Sequence, residues 1–490
     1  MAEIKKILVA NRGEIALRVM RTCKRLKIKT VAIFSEVDKD SLFVSYADEK
    51  ILIGPAPSKL SYLNQDLIIQ KAVEINVDAI HPGYGFLSEN AAFASKVIKA
   101  GIIFIGPSAK SIEVMGDKLS AKKSVSKFDI PLVPGLDKEI KDVNLAMNAA
   151  EKIGFPVLIK ASAGGGGKGM RIVNRKDEFK DQMQRAVSEA KNSFGNGAVF
   201  IEKYLTKPRH IEIQILADQY GEVIHLFERD CSIQRRHQKI IEEAPSSLIS
   251  NELRNKMGEA ACNVARSCNY HGAGTVEFIF ENNAFYFLEM NTRLQVEHPV
   301  TEMITGLDLV EEQINIAKGN PLRISQKDLK INGHSIEIRV CAEDPFNNFL
   351  PDTGIIELYE IPSGKGVRVD DCTHVGAEVS IYYDPMISKL IVHGKNREVA
   401  IEKMIKAIEQ YTIYGVKTTL PFCYYTLNHS DFKSGNFDTS FVSLYLEDFK
   451  SVTSFDNNEA GLAAIYYLNK TDKIQDYFLP SKANSWRKSI

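Results

Sequence analysis

Short apolar runs at residues 7–10, 30–35, 79–81 and 102–105 stand between stretches whose apolar positions recur three and four apart, among them 14–26 and 65–74. Runs of the first kind predict strands and stretches of the second predict amphipathic helices. Strand and helix in alternation predict a doubly wound parallel sheet over residues 1–113, so the expected class is α/β, α+β overall. Residues 114–330 are expected to form a second domain with a lid at about 131–205. A mixed β/α domain follows over 331–447, with the turn Pro351-Asp352-Thr353-Gly354 and a helix near 397–411. The C-terminal extension 448–490 is expected to hold one amphipathic helix at 459–468 and to end in a loose polar stretch, 481–490.

One segment breaks the usual rule that a half-buried strand carries few charges. Residues 289–297 read E-M-N-T-R-L-Q-V-E. Successive side chains of a strand point to opposite faces, which places Glu289, Asn291, Arg293, Gln295 and Glu297 together. Two carboxylates, a guanidinium and two amides suit a site for a metal and an anion. The preceding runs, T-V-E-F-I-F at 275–280 and A-F-Y-F-L-E at 284–289, predict a hairpin around 281–283. With Asn283 at the centre of the turn, Phe280 pairs with Tyr286, Phe278 with Leu288, and Glu277 with Glu289. Like charges directly opposite are destabilising, and a hard cation such as Mg²⁺ between them reverses that penalty. In a straight strand Glu289 and Glu297 are roughly 26 Å apart. Either the chain bends near 292–294, or the two ends handle different reactants within one elongated site.

A second constellation is V-L-I-K-A-S-A-G-G-G-G-K-G-M at 157–170. A short strand ends in Lys160, and the glycines, Gly165, Gly166 and Gly167 among them, let backbone N–H groups close on an anion. Gly169 stands after Lys168 where a Walker A loop needs Ser or Thr, and the chain shows no G-x-G-x-x-G. The flanking strand and the two lysines favour a phosphate lid over a flexible linker. Three segments join it. A-V-F-I-E-K-Y-L at 198–205 predicts a strand edge that offers backbone groups and Glu202. H-I-E-I-Q-I-L at 210–216 puts His210, Glu212 and Gln214 on one face. R-D-C-S-I-Q-R-R-H-Q-K at 229–239 is basic without aromatics and is followed by Glu242 and Glu243, which favours small anions over nucleic acid.

Together with Lys118, these motifs closely resemble biotin carboxylase, an ATP-grasp enzyme. The likeness extends to L-V-A-N-R-G-E-I-A at 8–16, H-P-G-Y-G-F-L-S-E-N at 81–90, S-I-E-I-R-V-C-A-E-D-P at 335–345 and Y-Y-D-P-M-I-S-K-L at 382–390, covering roughly nine-tenths of the chain. The resemblance implies that Lys118, Lys160, His210 and His237 contact ATP, with Gln234 and the glycine lid. It also implies Glu202 and the backbone of Lys203 and Leu205 at the adenine, and Mg²⁺ or Mn²⁺ on Glu277, Glu289 and Asn291. Bicarbonate would lie on Lys239, Arg293, Gln295 and the Val296 backbone, with Glu297 as its general base; from their nearness in sequence, His298 and Arg293 are expected to tune it. Arg339 would meet the ureido oxygen of biotin, with Tyr84 nearby. Lys168 departs from the arginine of many relatives, giving a point charge without the bidentate fork. The implied reaction carboxylates biotin, carried on a separate carrier protein, through carboxyphosphate. The implied partners are a carboxyltransferase and, in a homodimer, a second copy of the chain. The acceptor (acetyl-CoA, propionyl-CoA or pyruvate) stays open.

Composition narrows the remaining classes. Lys+Arg and Asp+Glu balance at 62 each, so no long-range field recruits nucleic acid or a membrane. Seven scattered cysteines, none in a CxxC pair, argue against a disulfide framework. The N-terminal apolar run is too short for a signal peptide and no stretch is long enough to cross a bilayer, so a cytoplasmic protein is expected. Two rivals are weighed: a different ATP-grasp ligase, against which Arg339 and the 81–90 segment speak, and a non-catalytic ATP-binding regulator, which would lack a site carboxylate or lysine.

Overall fold

The computed structural model describes residues 3–128, 130–136, 140, 142–161, 170–194 and 197–452. Residues 1–443 form one unit and 444–490 a second, whose described residues lie in the helix Phe441–Val452. The helix expected at 459–468, the polar end at 481–490 and the lid glycines Gly165, Gly166 and Gly167 lie outside the described residues.

The first sheet holds β1 (Lys6–Val9), β2 (Lys29–Phe34), β3 (Glu49–Leu52), β4 (Ala79–His81) and β5 (Ile103–Phe104) in the parallel order β3-β2-β1-β4-β5. Parallel strands covered on both faces read as continuous apolar runs. Leu8, Val31 and Ile33 join the core on one face with Phe93 and Val97, while Ile7, Val9 and Ala32 face Ile15, Val19 and Met20. The expected helices are observed at Gly13–Arg25 and Gln65–Glu74. The sequence pattern missed β3, because E-K-I-L at a sheet edge has only two apolar positions.

A small sheet orders β6 (Val157–Ala161), β7 (Met170–Val173) and β8 (Val199–Lys203) as β7-β6-β8, with Val157, Ile159, Val199 and Ile201 packed against Phe179 and Met183. The largest sheet is antiparallel. It holds β9 (Arg209–Ala217), β10 (Val223–Arg235), β11 (Gln238–Ala244), β12 (Gly272–Glu281), β13 (Ala284–Asn291), β14 (His334–Cys341), β15 (Val367–Asp371) and β16 (Met386–Gly394). Its order is β13-β12-β9-β10-β11-β14-β16-β15. β9 is buried at every position, polar residues included. A sheet with charged side chains on a covered face must satisfy them internally, and that requirement builds the site. The helix expected at 397–411 is observed at Arg397–Glu409 and packs along the sheet.

Candidate functional site

Strand register assembles the centre. Arg229 of β10 pairs with Glu212 of β9, Glu212 with Glu277 of β12, and Glu277 with Glu289 of β13. One guanidinium and three carboxylates thus lie in a row across four strands. The expected pairing of Glu277 with Glu289 is observed, but the expected pairs Phe280–Tyr286 and Phe278–Leu288 are not. The turn has two residues, Asn282 and Asn283, both at positive φ, and near it Glu281 pairs with Ala284 and Phe278 with Phe287. That two-residue turn is the hairpin chemistry asparagine favours. The ladder slips between Glu277 and Phe278, leaving Leu288 as a bulge that restores Glu289 to its place opposite Glu277.

Beyond Asn291 the strand ends and the chain bends at Arg293, so the straight-strand version of the site does not occur. The bend returns Glu297 to the centre. Lys239 Nζ lies 2.5 Å from Glu212, 3.1 Å from Glu277 and 2.6 Å from Glu297. A slip in the β10–β11 ladder explains its aim: Ile233 pairs with Ile241 and Gln234 with Lys239, so Ile240 is the extra residue that resets the alternation. Burial disfavours charge on Lys239, yet Glu212, Glu277 and Glu297 outweigh it and hold the ammonium well above its ordinary range. His210 sits 3.0 Å from Glu277, which overcomes burial and raises the imidazole. Against a burial that alone would raise them, Lys239 and His210 hold Glu277 well below the usual carboxylate range, and Lys239 and Arg339 do the same for Glu297.

Asn291 Nδ2 and Gln295 Nε2 each donate to Glu277 Oε1 at 2.9 Å. Arg229, fully buried, donates to Glu212, Gln214, Thr275, Thr301 and Gln295. Arg339 donates to Glu242 at 2.6 Å and to Glu297 at 2.9 Å. The Val296 carbonyl accepts from Lys389, whose ammonium lies 3.3 Å from Glu14, and Glu14 accepts from the Tyr84 hydroxyl. Tyr84 is thereby tied to the same loop as Glu297.

The expected tuning of Glu297 by His298 and Arg293 is not what the structure shows. The bend turns Arg293 to Glu89, 2.9 Å away, and to Asn291. His298 Nδ1 faces the Gln295 carbonyl, and burial lowers the imidazole far below its ordinary range, so it stays neutral. Lys239 and Arg339 are the cations on Glu297.

At the lid, Glu202 Oε1 and Oε2 each lie 2.5 Å from an ammonium, Lys122 and Lys160. Lys118 opens the helix Lys118–Val125 one turn before Lys122, and its side chain lies outside the described residues. The Lys203 amide donates to Pro134 and its ammonium to the Gly154 and Phe155 carbonyls, while Leu205 is half-buried beyond β8. Gln234 is buried opposite Lys239, whereas His237 stands exposed at the tip of the β10–β11 turn with positive φ. Register thus joins Glu277, Glu289, Asn291, His210, Lys239, Gln295, Glu297 and Arg339 in one centre, and Lys160 with Glu202 in a second cluster.

Sequence reading gave Glu212, Arg229 and Glu242 no role beyond their place in a motif, and missed Lys122, Glu89, Glu14 and Lys389. Glu212 had a signal, the alternation of 210–216; Arg229 and Glu242 had one in the unbroken strand character of 223–235 and 238–244. Glu14 comes from the helix Gly13–Arg25, Glu89 from a turn and Lys389 from β16, which local pattern does not join.

Comparison with known families agrees with this layout. Residues 3–112 match the biotin carboxylase N-terminal domain, 117–325 the ATP binding domain of carbamoyl-phosphate synthase L chain, and 337–444 the biotin carboxylase C-terminal domain. A pyruvate carboxylase subunit of Methanothermobacter thermautotrophicus is 50% identical over 482 residues, 97% of this chain and 96% of that one. Biotin carboxylase 1 of Bacillus subtilis is 50% identical over 444 residues, 90% of this chain and 99% of that one. Among solved structures, the biotin carboxylase domain dimer of Hydrogenobacter thermophilus 2-oxoglutarate carboxylase, in complex with MgADP, ADP and bicarbonate, superposes with a TM-score of 0.85 at 49% identity, covering 92% of this chain and 99% of that one.

Proposed function

The chain belongs to the biotin carboxylase family and is an ADP-forming carboxylase, and we propose that it uses ATP and bicarbonate to carboxylate biotin presented by a carrier protein, in a complex with a carboxyltransferase. The carrying observation is Glu297, almost wholly buried and held between Lys239 and Arg339. A carboxylate so placed is ionised and can take a proton from an acidic substrate. Its two cations also restrain it. An anion that draws Lys239 aside relieves that hold, so bicarbonate raises the basicity of the group that deprotonates it.

The remaining roles follow from position. Lys160, Lys118, His210, His237, Gln234 and the lid glycines form the ATP-binding group, with Glu202, Lys203 and Leu205 at the base. Glu277, Glu289 and Asn291 form an oxygen-donor set that fits a hard divalent ion; Mg²⁺ there, when bound, would neutralise phosphate charge. Bicarbonate lies on Lys239, Arg293, Gln295 and the Val296 backbone, the last fixed by Lys389. Once carboxyphosphate releases CO₂ and phosphate, the phosphate takes the N1′ proton of biotin while Arg339 stabilises the enolate on the ureido oxygen beside Tyr84. The roughly 1–113, 114–330 and 331–447 divisions supply, in order, the biotin-side wall, the nucleotide centre and the Arg339 strand.

The carboxyl acceptor is chosen by the carboxyltransferase partner, since a pyruvate carboxylase subunit and a propionyl-CoA carboxylase alpha chain are each 50% identical to this chain. The test incubates the protein with ATP, Mg²⁺, labelled bicarbonate and free biotin. N-carboxylated biotin is expected, and Glu297→Gln should abolish most of it while retaining ATP binding. Full turnover by Glu297→Gln would remove that carboxylate from the mechanism.

A further inference from the structure

Behind Arg339 lies a pair of acids that the reaction above does not use. Glu242 of β11 and Glu337 of β14 are direct cross-strand partners, and both are fully buried. Side chains so paired have Cβ atoms about 5 Å apart. Arg339 Nε occupies Glu242 Oε1, but Glu242 Oε2 and both oxygens of Glu337 accept no hydrogen bond from the described residues.

The surrounding charges do not balance two anions there. Arg339 divides its guanidinium between Glu242 and Glu297. Lys389 on β16 is committed to the Val296 carbonyl and Glu14. Lys239 on β11 serves Glu212, Glu277 and Glu297. His298, from the helix His298–Thr305 packed on β14, is neutral, and the nearby thiols Cys231 and Cys423 are pushed up by burial and stay protonated. An ionised carboxylate left unpaired in such surroundings is strongly destabilised.

We infer that Glu242 and Glu337 share a single proton in the resting protein and together act as the positioning group of Arg339. The inference rests on the carboxylase reading for what Arg339 does, but not for the proton itself. An O–H between the two acids gives two of the three orphaned oxygens a partner and leaves one negative charge on the pair. Arg339 then keeps positive charge for Glu297 and for a substrate oxygen. With both acids ionised, the guanidinium would be drawn into the pair and away from Glu297. Burial, the dominant cause, raises both carboxyls, Arg339 opposing it at Glu242 and Lys389 at Glu337.

Two measurements on the full-length chain test this. Infrared difference spectra of resting protein with labelled glutamate, wild type minus variant, should show a protonated carboxylic acid band that Glu337→Gln removes and Glu242→Gln also removes, since an amide in either place lets the other acid ionise. Absence of the band in wild type, or its survival in both variants, overturns the inference. The second is the pH profile. The biotin-dependent rate should carry an alkaline limb that Glu337→Gln removes, while ATP hydrolysis driven by bicarbonate without biotin keeps its own profile; an unchanged limb overturns the positioning role. Failure of wild type to carboxylate biotin would overturn the preceding function instead, and the infrared band still decides the proton.

Discussion

Arg229 gives the sharpest forecast because its surroundings leave it no slack. It is fully buried and directs donors to Glu212, Gln214, Thr275, Thr301 and Gln295, on two strands besides its own, one helix and the loop of Glu297. Lysine keeps the charge but offers three donors on one nitrogen in place of a planar fork. At least two buried acceptors lose their partner, at about 1–3 kcal/mol each, so Arg229→Lys should cost about 3 kcal/mol. Arg229→Met leaves Glu212 to Lys239 and the more distant His210 and should cost about 3–5 kcal/mol. With a urea slope near 3 kcal/mol/M, the lysine variant should unfold about 1 M earlier, read by far-UV circular dichroism. Bicarbonate-dependent ATP turnover should fall too, since Gln295 loses its anchor. The double variant Arg229→Met with Glu212→Gln should recover part of the midpoint, because a neutral pair leaves no buried charge alone. If Arg229→Lys unfolds and turns over like wild type, the row of charges is not the frame of the site.

Three further outcomes are expected. Burial alone would raise Glu243, but Arg397 and His334 push it down to about 2. A depressed acid stabilises above its unfolded value and loses that contribution as pH falls towards its folded one, so Arg397→Met should cost about 3 kcal/mol at neutral pH and progressively less below pH ~4 in denaturation series. Glu277→Gln or Glu289→Gln should raise the Mg²⁺ concentration for half-maximal turnover roughly tenfold or more, and an unchanged Mg²⁺ titration would exclude that acid as a ligand. Lys160→Met should weaken ATP roughly tenfold or more through one lost charge-assisted contact, measured as KM for ATP with kcat less affected.

The parallel domain was largely legible from its amino acids, since β1, β2 and the helix Gln65–Glu74 are marked by apolar runs and periodicity alone. The antiparallel site was legible only in part. Alternation placed Glu277 opposite Glu289, but not through the right route, because turn length and bulge are properties of backbone geometry that Asn282 and Asn283 only hint at. Arg229 looked like one of a basic cluster, since burial of a charge depends on partners from other strands. The assignment of Glu297 to a base came through family likeness, whereas its two cations, Lys239 and Arg339, emerge from a ladder slip and from a strand some forty residues on.

The hairpin that carries Glu277 and Glu289 spells the same facing pair with two compensating length errors, a turn one residue short and a strand one residue long. Adding a residue between Asn282 and Asn283 while deleting Leu288 would leave the same neighbours facing each other, whereas either change by itself would rotate Glu289 out of its place. Insertions and deletions here should therefore travel in pairs, and an alignment that scores each gap separately would misjudge which chains retain the acids in apposition.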